Sequence, residues 1–271
     1  MAELITIDDR DDPRLDDFRD LSTADRRPDR PGGRGLVIAE GTVVVERLLR
    51  SRYPVRALLG VERRFRELGA ELDRVDAPGY VTSAETMAEV VGFHLNRGVL
   101  AVADRPVPPP TVEGIIDGAR VLAVLEGVGD HENLGSLFRN AAALGVDGIL
   151  LGAGCSDPLY RRSVRVSMGH VLRVPFATFG SWPDDLNLLR ERGFRIAALT
   201  PRADSVSLRQ LRDQAPEKVA LMLGAEGAGL TEEAIAAADL AVRIPMPDGV
   251  DSLNVATAGA IAFYETRPPL S

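Results

Sequence analysis

From Gly114 onward, short apolar runs alternate with amphipathic ones, and this alternation constrains the fold more than any other feature of the chain. The apolar runs are VLAVLEG (121–127), GILLG (148–152), VPFATF (174–179), FRIAALT (194–200), VALMLG (219–224) and LAVRIPM (240–246), each short enough for a buried strand. Helical patterns fall between most of them, at 134–144, 160–168, 182–192 and 232–238, with a last one at 253–264. Such alternation predicts an α/β domain, a mainly parallel sheet with helices on both faces. Ligands of these sheets sit beyond the carboxyl ends of the strands, so the segments following the strands are where chemistry is expected.

The N-terminal part reads differently. Residues 1–34 hold ten acids and seven arginines and end in RPDRPGGRG, a composition that predicts a loosely ordered acidic arm. A small α/β domain is expected over 35–107, from the strand GLVIAEG and the helix TVVVERLLRS to the strand GVLAVAD. Within it VRALLG reads as a strand, VERRFRELGAELDR as one helix, and Ser83 as the cap of another. The prolines Pro108 to Pro110 cannot sit inside a helix or a central strand, which sets a linker at 108–114 and the second domain at 115–271.

Composition narrows the function classes. A net charge of −8 argues against non-specific coating of nucleic acid, so any such role must use local patches. All but one of the 32 basic residues are arginine, which suits bidentate contact with phosphate but is explained as well by the base composition of a genome. One cysteine and three scattered histidines offer no metal-ligand spacing, and no metal is expected. No apolar run is long enough to span a bilayer and nothing in MAELITIDDRDD resembles an export signal, so a cytoplasmic address and no membrane partner are expected.

Three segments carry candidate chemistry. In ENLGSLFRNAAALG, Asn133 can cap a helix, Gly135 permits close approach, and Arg139 lies roughly 9 Å further along the axis, within reach of the same strand-end crevice. In VALMLGAEGAGL the glycines Gly224, Gly227 and Gly229 surround Glu226; the spacing is neither a dinucleotide fingerprint nor a P-loop. In VRIPMPDGVDSLNVATAGAIAFYE, Ser252 can cap a helix rich in small residues, with Asn254 beside it at the helix start. Taken singly, each has a plain structural explanation: a surface arginine, a tight turn, a close helix contact.

In this order and at these separations, the three segments resemble the signature motifs of the SpoU/TrmH class of SPOUT RNA ribose 2′-O-methyltransferases. N-x-G-x-x-x-R is met by Asn133, Gly135 and Arg139, G-x-E-x-x-G-L by Gly224, Glu226, Gly229 and Leu230, and the third by Ile244 to Met246 with Ser252 to Val255. The small N-terminal unit is similar to the RNA-binding domain that precedes many such catalytic domains. One departure is Asp248, where family members often carry glycine, with Gly249 one position later.

The resemblance implies a trefoil knot in the C-terminal domain and a homodimer whose subunits share each site. It implies S-adenosylmethionine bound by backbone groups around Gly224, Ile244 and Leu253, with Leu199, Thr200 and Met246 nearby. It implies methylation of a ribose 2′-hydroxyl of RNA; ribosomal and transfer RNA are both substrates of the family, and the small preceding domain favours ribosomal RNA. Asn133, Arg139, Glu226, Ser252 and Asn254 become the catalytic candidates. A guanidinium holds its proton tightly, so Arg139 is assigned to orienting the hydroxyl and a neighbouring RNA phosphate that assists proton removal. Arg47, Arg50, Arg52, Arg161, Arg162 and Arg165 are the candidates for RNA contact, against the plainer reading of solvated charge. The alternatives are a catalytically silent RNA-binding or ribosome-assembly protein with the same fold, and a nucleotide-dependent oxidoreductase, which lacks its glycine fingerprint.

Overall fold

The computed structural model describes residues 2–21, 35–94, 97–214, 216–247 and 249–266. The chain divides into two compact units, 1–108 together with 159–173, and 109–158 together with 174–271.

The N-terminal unit holds β1 (Leu4–Thr6), β2 (Val37–Glu40), α1 (Thr42–Leu49), β3 (Val55–Gly60), α2 (Glu62–Leu68), β4 (Gly79–Val81), α3 (Ala84–Val91) and β5 (Val99–Ala103), its sheet ordered β1-β4-β3-β5-β2. β5 runs antiparallel to β2 and β3; the other pairs are parallel. The expected single helix over 61–74 breaks at Gly69, which has φ +50° and hands over to a 3-10 turn at Gly69–Arg74. Ser83 caps α3 by accepting from Thr86 N.

The acidic arm is corrected for the part that is described. β1 adds a parallel edge strand to β4, and a 3-10 helix at Pro13–Phe18 buries Leu15 and Phe18 completely. Ile7, Leu15, Phe18 and Leu21 are spaced so that they enter one core with Leu59, Tyr80 and Met87, while Asp8, Asp9, Asp11, Asp16 and Asp20 stay exposed and Asp12 and Asp17 are partly buried. Arginines pair with several of these acids, as Arg14 does with Asp12, Arg19 with Asp16 and Arg56 with Asp17. Composition alone hides this, because a few well-spaced apolar residues suffice to dock a segment already bristling with charge. Residues 22–34, including most of the Pro- and Gly-rich stretch, lie outside the described residues.

The C-terminal unit begins with α4 (Val112–Ile116), capped by Thr111, so a helix occupies part of the expected linker. β6 (Val121–Leu125), α5 (His131–Leu144) and β7 (Gly148–Leu151) follow; α6 (Arg161–Val166) belongs to the N-terminal unit. Then come β8 (Phe176–Thr178), α7 (Leu186–Glu191), β9 (Arg195–Leu199), β10 (Val206–Ser207), α8 (Leu208–Asp213), β11 (Val219–Leu223), α9 (Glu232–Ala236), β12 (Leu240–Arg243) and α10 (Val255–Thr266). The seven strands form one wholly parallel sheet ordered β10-β12-β9-β11-β6-β7-β8. Side chains of period two divide between its faces: Leu122, Val124, Leu150, Ile196, Ala198, Ala220 and Met222 pack with α4, α7 and α9. α10 packs on α5, α8 and β11. At Gly259 an added Cβ would stand 2.5 Å from a Leu137 methyl carbon, which fixes the close approach of α10 to α5.

The excursion 159–173 is a second correction, because the helix pattern at 160–168 was expected inside the 115–271 domain. α6 packs on β2 and the following 3-10 turn at His170–Leu172 on α1. Val164, Val171 and Leu172 within the excursion are buried.

Candidate active site

All strands of the C-terminal sheet point the same way, so their carboxyl ends share one edge, and a cavity of about 350 Å³ opens there. Leu199 at the end of β9 and Thr200 after it, Leu223 and Gly224 at the end of β11, and Ile244 and Met246 after β12 form its walls, with Ser252 and Leu253 just before α10 and Val255 at its start. Leu199, Thr200, Gly224, Ile244, Met246 and Leu253, the six residues expected around a cofactor, all line it.

The glycine loop is folded back on itself. Ala225 and Gly229 form an isolated antiparallel bridge, and Gly227 and Gly229 adopt φ +80° and +72°, the region that favours glycine. Gly224 is fixed for a different reason: a Cβ there would lie 2.1 Å from Gly229 C and 2.2 Å from Leu230 N. The two ends of the loop therefore touch through backbone.

Asn254 joins the three motifs. Its Oδ1 accepts from Ala256 N (3.0 Å) and Thr257 N (3.2 Å), which caps α10. Its Nδ2 donates to Asn133 Oδ1 (2.8 Å) and to Glu226 Oε1 (2.6 Å). One amide thus satisfies an orphan helix end and bridges residues 121 and 28 positions away. Two expected caps are corrected. Asn254 rather than Ser252 caps α10, because its longer amide serves helix and neighbours together. Asp130, not Asn133, caps α5, accepting from Glu132 N and Asn133 N, which frees the Asn133 side chain from helix capping.

Removing this amide should be measurable in stability. Asn254→Ala is expected to cost about 1 kcal/mol through the cap alone, lowering Tm by about 3 °C in thermal denaturation. An unchanged Tm would show that the Asn254 bonds contribute nothing to the fold.

Arg139 stands apart from this junction. It is exposed on α5 and makes no hydrogen bond or ion pair with another described residue. Ser252 is exposed on the cavity rim. Among the described residues no group of three His, Cys, Asp or Glu is placed to hold a metal, and no helix is long and apolar enough to cross a membrane.

A family model described as the SpoU rRNA Methylase family matches residues 120–264, from β6 into α10. The chain belongs to the SpoU rRNA methylase family. Similar proteins include an uncharacterized tRNA/rRNA methyltransferase of Mycobacterium tuberculosis, 58% identical over 258 residues, which are 95% of this chain and 89% of the relative. A 23S rRNA (guanosine-2′-O-)-methyltransferase of Bordetella pertussis is 29% identical over 85% of this chain and 96% of its own. Among solved structures, the AdoMet-bound rRNA methyltransferase from Sinorhizobium meliloti superposes with a TM-score of 0.81 at 25% identity, covering 97% of each chain.

The arginines expected to serve this SpoU methylase on RNA divide by environment, all within the N-terminal unit. Arg161 is largely internal: its guanidinium lies 4.8 Å from the Phe93 ring centroid and 3.8 Å from Glu40 Oε2, and burial pulls its pKa below the ordinary arginine value despite that carboxylate. The docking of α6 on β2, which the sequence did not signal, leaves it only partly exposed. Arg50 pairs with Glu71 at 2.6 Å and Arg47 donates to Met168 O. Arg165 is partly exposed at 3.9 Å from Glu40, and Arg52 and Arg162 are exposed.

Sequence reasoning missed Glu126. It stands unremarked inside the apolar run VLAVLEG, yet it is 5% exposed and hydrogen-bonded from two other segments. The signal was available: an acid at the carboxyl end of a buried parallel strand stands where these sheets build sites.

Proposed function

We propose that this protein methylates a ribose 2′-hydroxyl of ribosomal RNA, using S-adenosylmethionine bound at the carboxyl ends of β9, β11 and β12. The observation that carries the reading is that the cavity and the Asn133–Glu226–Asn254 junction share the glycine loop, with Glu226 in both. The donor set fits the cofactor: Leu199, Ile244, Met246, Leu253 and Val255 give apolar walls for a purine, and the loop backbone offers polar groups without bulky side chains. Bound there, the cofactor supplies an electrophilic methyl group on sulfonium.

The chain's own residues supply position. Asn254 holds Asn133 and Glu226 in register, so the first motif, the glycine loop and α10 form one rigid frame beside the cavity. Arg139, exposed and uncommitted among the described residues, is assigned to donate hydrogen bonds to the ribose hydroxyl and the adjoining phosphate. The phosphate, rather than the guanidinium, receives the proton. Arg47, Arg50, Arg52, Arg162 and Arg165 are kept as RNA contacts; Arg161, partly buried beside Glu40 and Phe93, is assigned to holding α6 instead.

A homodimer and the knotted threading of the C-terminal segment belong to the same proposal. Val250 (48% exposed), Leu253 (37%) and Tyr264 (55%) place large apolar side chains around the third motif and α10, a surface suited to a second copy. Light scattering is expected to give twice the chain mass of 29.1 kDa; a monomer at micromolar concentration contradicts the shared site. The substrate class is tested by incubating the protein with radiolabelled S-adenosylmethionine and, separately, unmodified ribosomal and transfer RNA. Label in the ribosomal pool is expected, and label confined to transfer RNA overturns that choice.

A further inference from the structure

Glu126 is the one buried acid among the described residues of the C-terminal unit, and it has no ion pair with any of them. A buried carboxylate is costly unless its oxygens are well bonded, and these are. Oε1 accepts from Trp182 Nε1 (2.6 Å) and Thr231 Oγ1 (2.8 Å), and Oε2 accepts from Thr231 N (2.8 Å). Its backbone matters too: Glu126 N donates to Leu223 O at 2.9 Å.

Leu223 and Thr231 flank the glycine loop on its two sides. Glu126 therefore grips the entry of the loop through its main chain and the exit through its side chain, while Gly224 lets the two ends meet. Leu223, Leu230 and Glu232, the neighbours of these anchor points, all line the cavity. The remaining oxygen contact reaches Trp182, whose ring packs on Phe179 and against Gly152, where a Cβ would lie 2.7 Å from the indole.

We propose that Glu126 is a positioning residue that clamps both ends of the cofactor loop and couples the loop to Trp182. The inference rests on the reading of the cavity as the S-adenosylmethionine site. All three groups facing the two oxygens are donors. A glutamine would therefore turn an NH₂ group toward a donor and leave buried hydrogens unpaired, so the isosteric change is not conservative here. Thr231 adds an internal control: its hydroxyl donates to Glu126 and accepts from Ala234 N, which caps α9, and serine keeps both bonds whereas valine loses both.

Trp182 is the only tryptophan, so its emission isolates one end of the clamp. The full-length protein is titrated with S-adenosylhomocysteine by calorimetry and, in parallel, by tryptophan fluorescence. The wild type is expected to bind with a change in Trp182 emission. Glu126→Gln should raise Kd about tenfold and abolish the emission change. Thr231→Ser should bind as the wild type does, and Thr231→Val should weaken binding by at least about threefold. A folded Glu126→Gln protein with wild-type Kd overturns the clamp. If that variant does not fold, equal affinities of the serine and valine variants overturn it instead. Failure of the wild type to bind overturns the reading of the cavity itself, a result distinct from either.

Discussion

Replacing Arg139 by lysine is expected to lower methyl transfer by about a hundredfold while leaving the affinity for S-adenosylmethionine within about twofold of wild type. The two halves of this expectation have separate causes. Arg139 is not among the residues lining the cavity, so cofactor binding does not depend on it. A lysine keeps the charge but loses the planar fork that lets one side chain hold a hydroxyl and a phosphate in fixed relation. A variant with unchanged turnover would remove Arg139 from the reaction, and one with weakened cofactor binding would move it into the cavity. Isothermal calorimetry together with a single-turnover assay separates these results.

The second large effect is expected at Gly224. A Cβ there would stand 2.1 to 2.4 Å from the Gly229 and Leu230 backbone, well inside van der Waals contact, and no side chain can swing aside to relieve it. Gly224→Ala must spread the loop whose backbone forms part of the cavity wall. Cofactor affinity is expected to fall at least about a hundredfold, with a fold that survives because the pairing of the other six strands of the sheet does not involve the loop. Gly227→Ala is the natural comparison: nothing lies within 4 Å of its added Cβ, and only the cost of φ +80° applies, about 1 kcal/mol. Equal affinities for the two variants would show that the contact between the loop ends is unimportant.

Much of the C-terminal sheet was legible because both faces are covered. Strands buried on two sides read as continuous apolar runs, and those at 121–125, 219–223 and 240–243 fall inside the runs that announced them. β10 was not legible, since two residues at a sheet edge carry no pattern. The N-terminal arm misled because its buried residues are few and its acids many, although four well-spaced apolar side chains decide the outcome. The surroundings of Arg161 were not legible for a related reason: a cation on an amphipathic helix reads as solvated until the partner surface, here Glu40 and Phe93, is known.

The site was legible in its membership more than in its wiring. The three motifs identify Asn133, Glu226 and Asn254, but nothing in their spacing says that a single amide joins them or that Asp130 and Asn254 are the caps. The junction depends on distances between segments 28 and 121 residues apart, which local pattern does not encode, and each cap is one of two neighbouring polar residues that local pattern leaves equivalent. Glu126 shows the same limit, because its role exists only through Leu223, Thr231 and Trp182.

The most direct test of the account is nucleoside analysis of ribosomal RNA labelled by this protein with radioactive S-adenosylmethionine. A chain in which Arg139 orients a ribose hydroxyl should place the label in a single 2′-O-methylated nucleoside and lose it in the Arg139→Lys variant. Label recovered on a base, or equal labelling by the variant, would contradict the assigned chemistry.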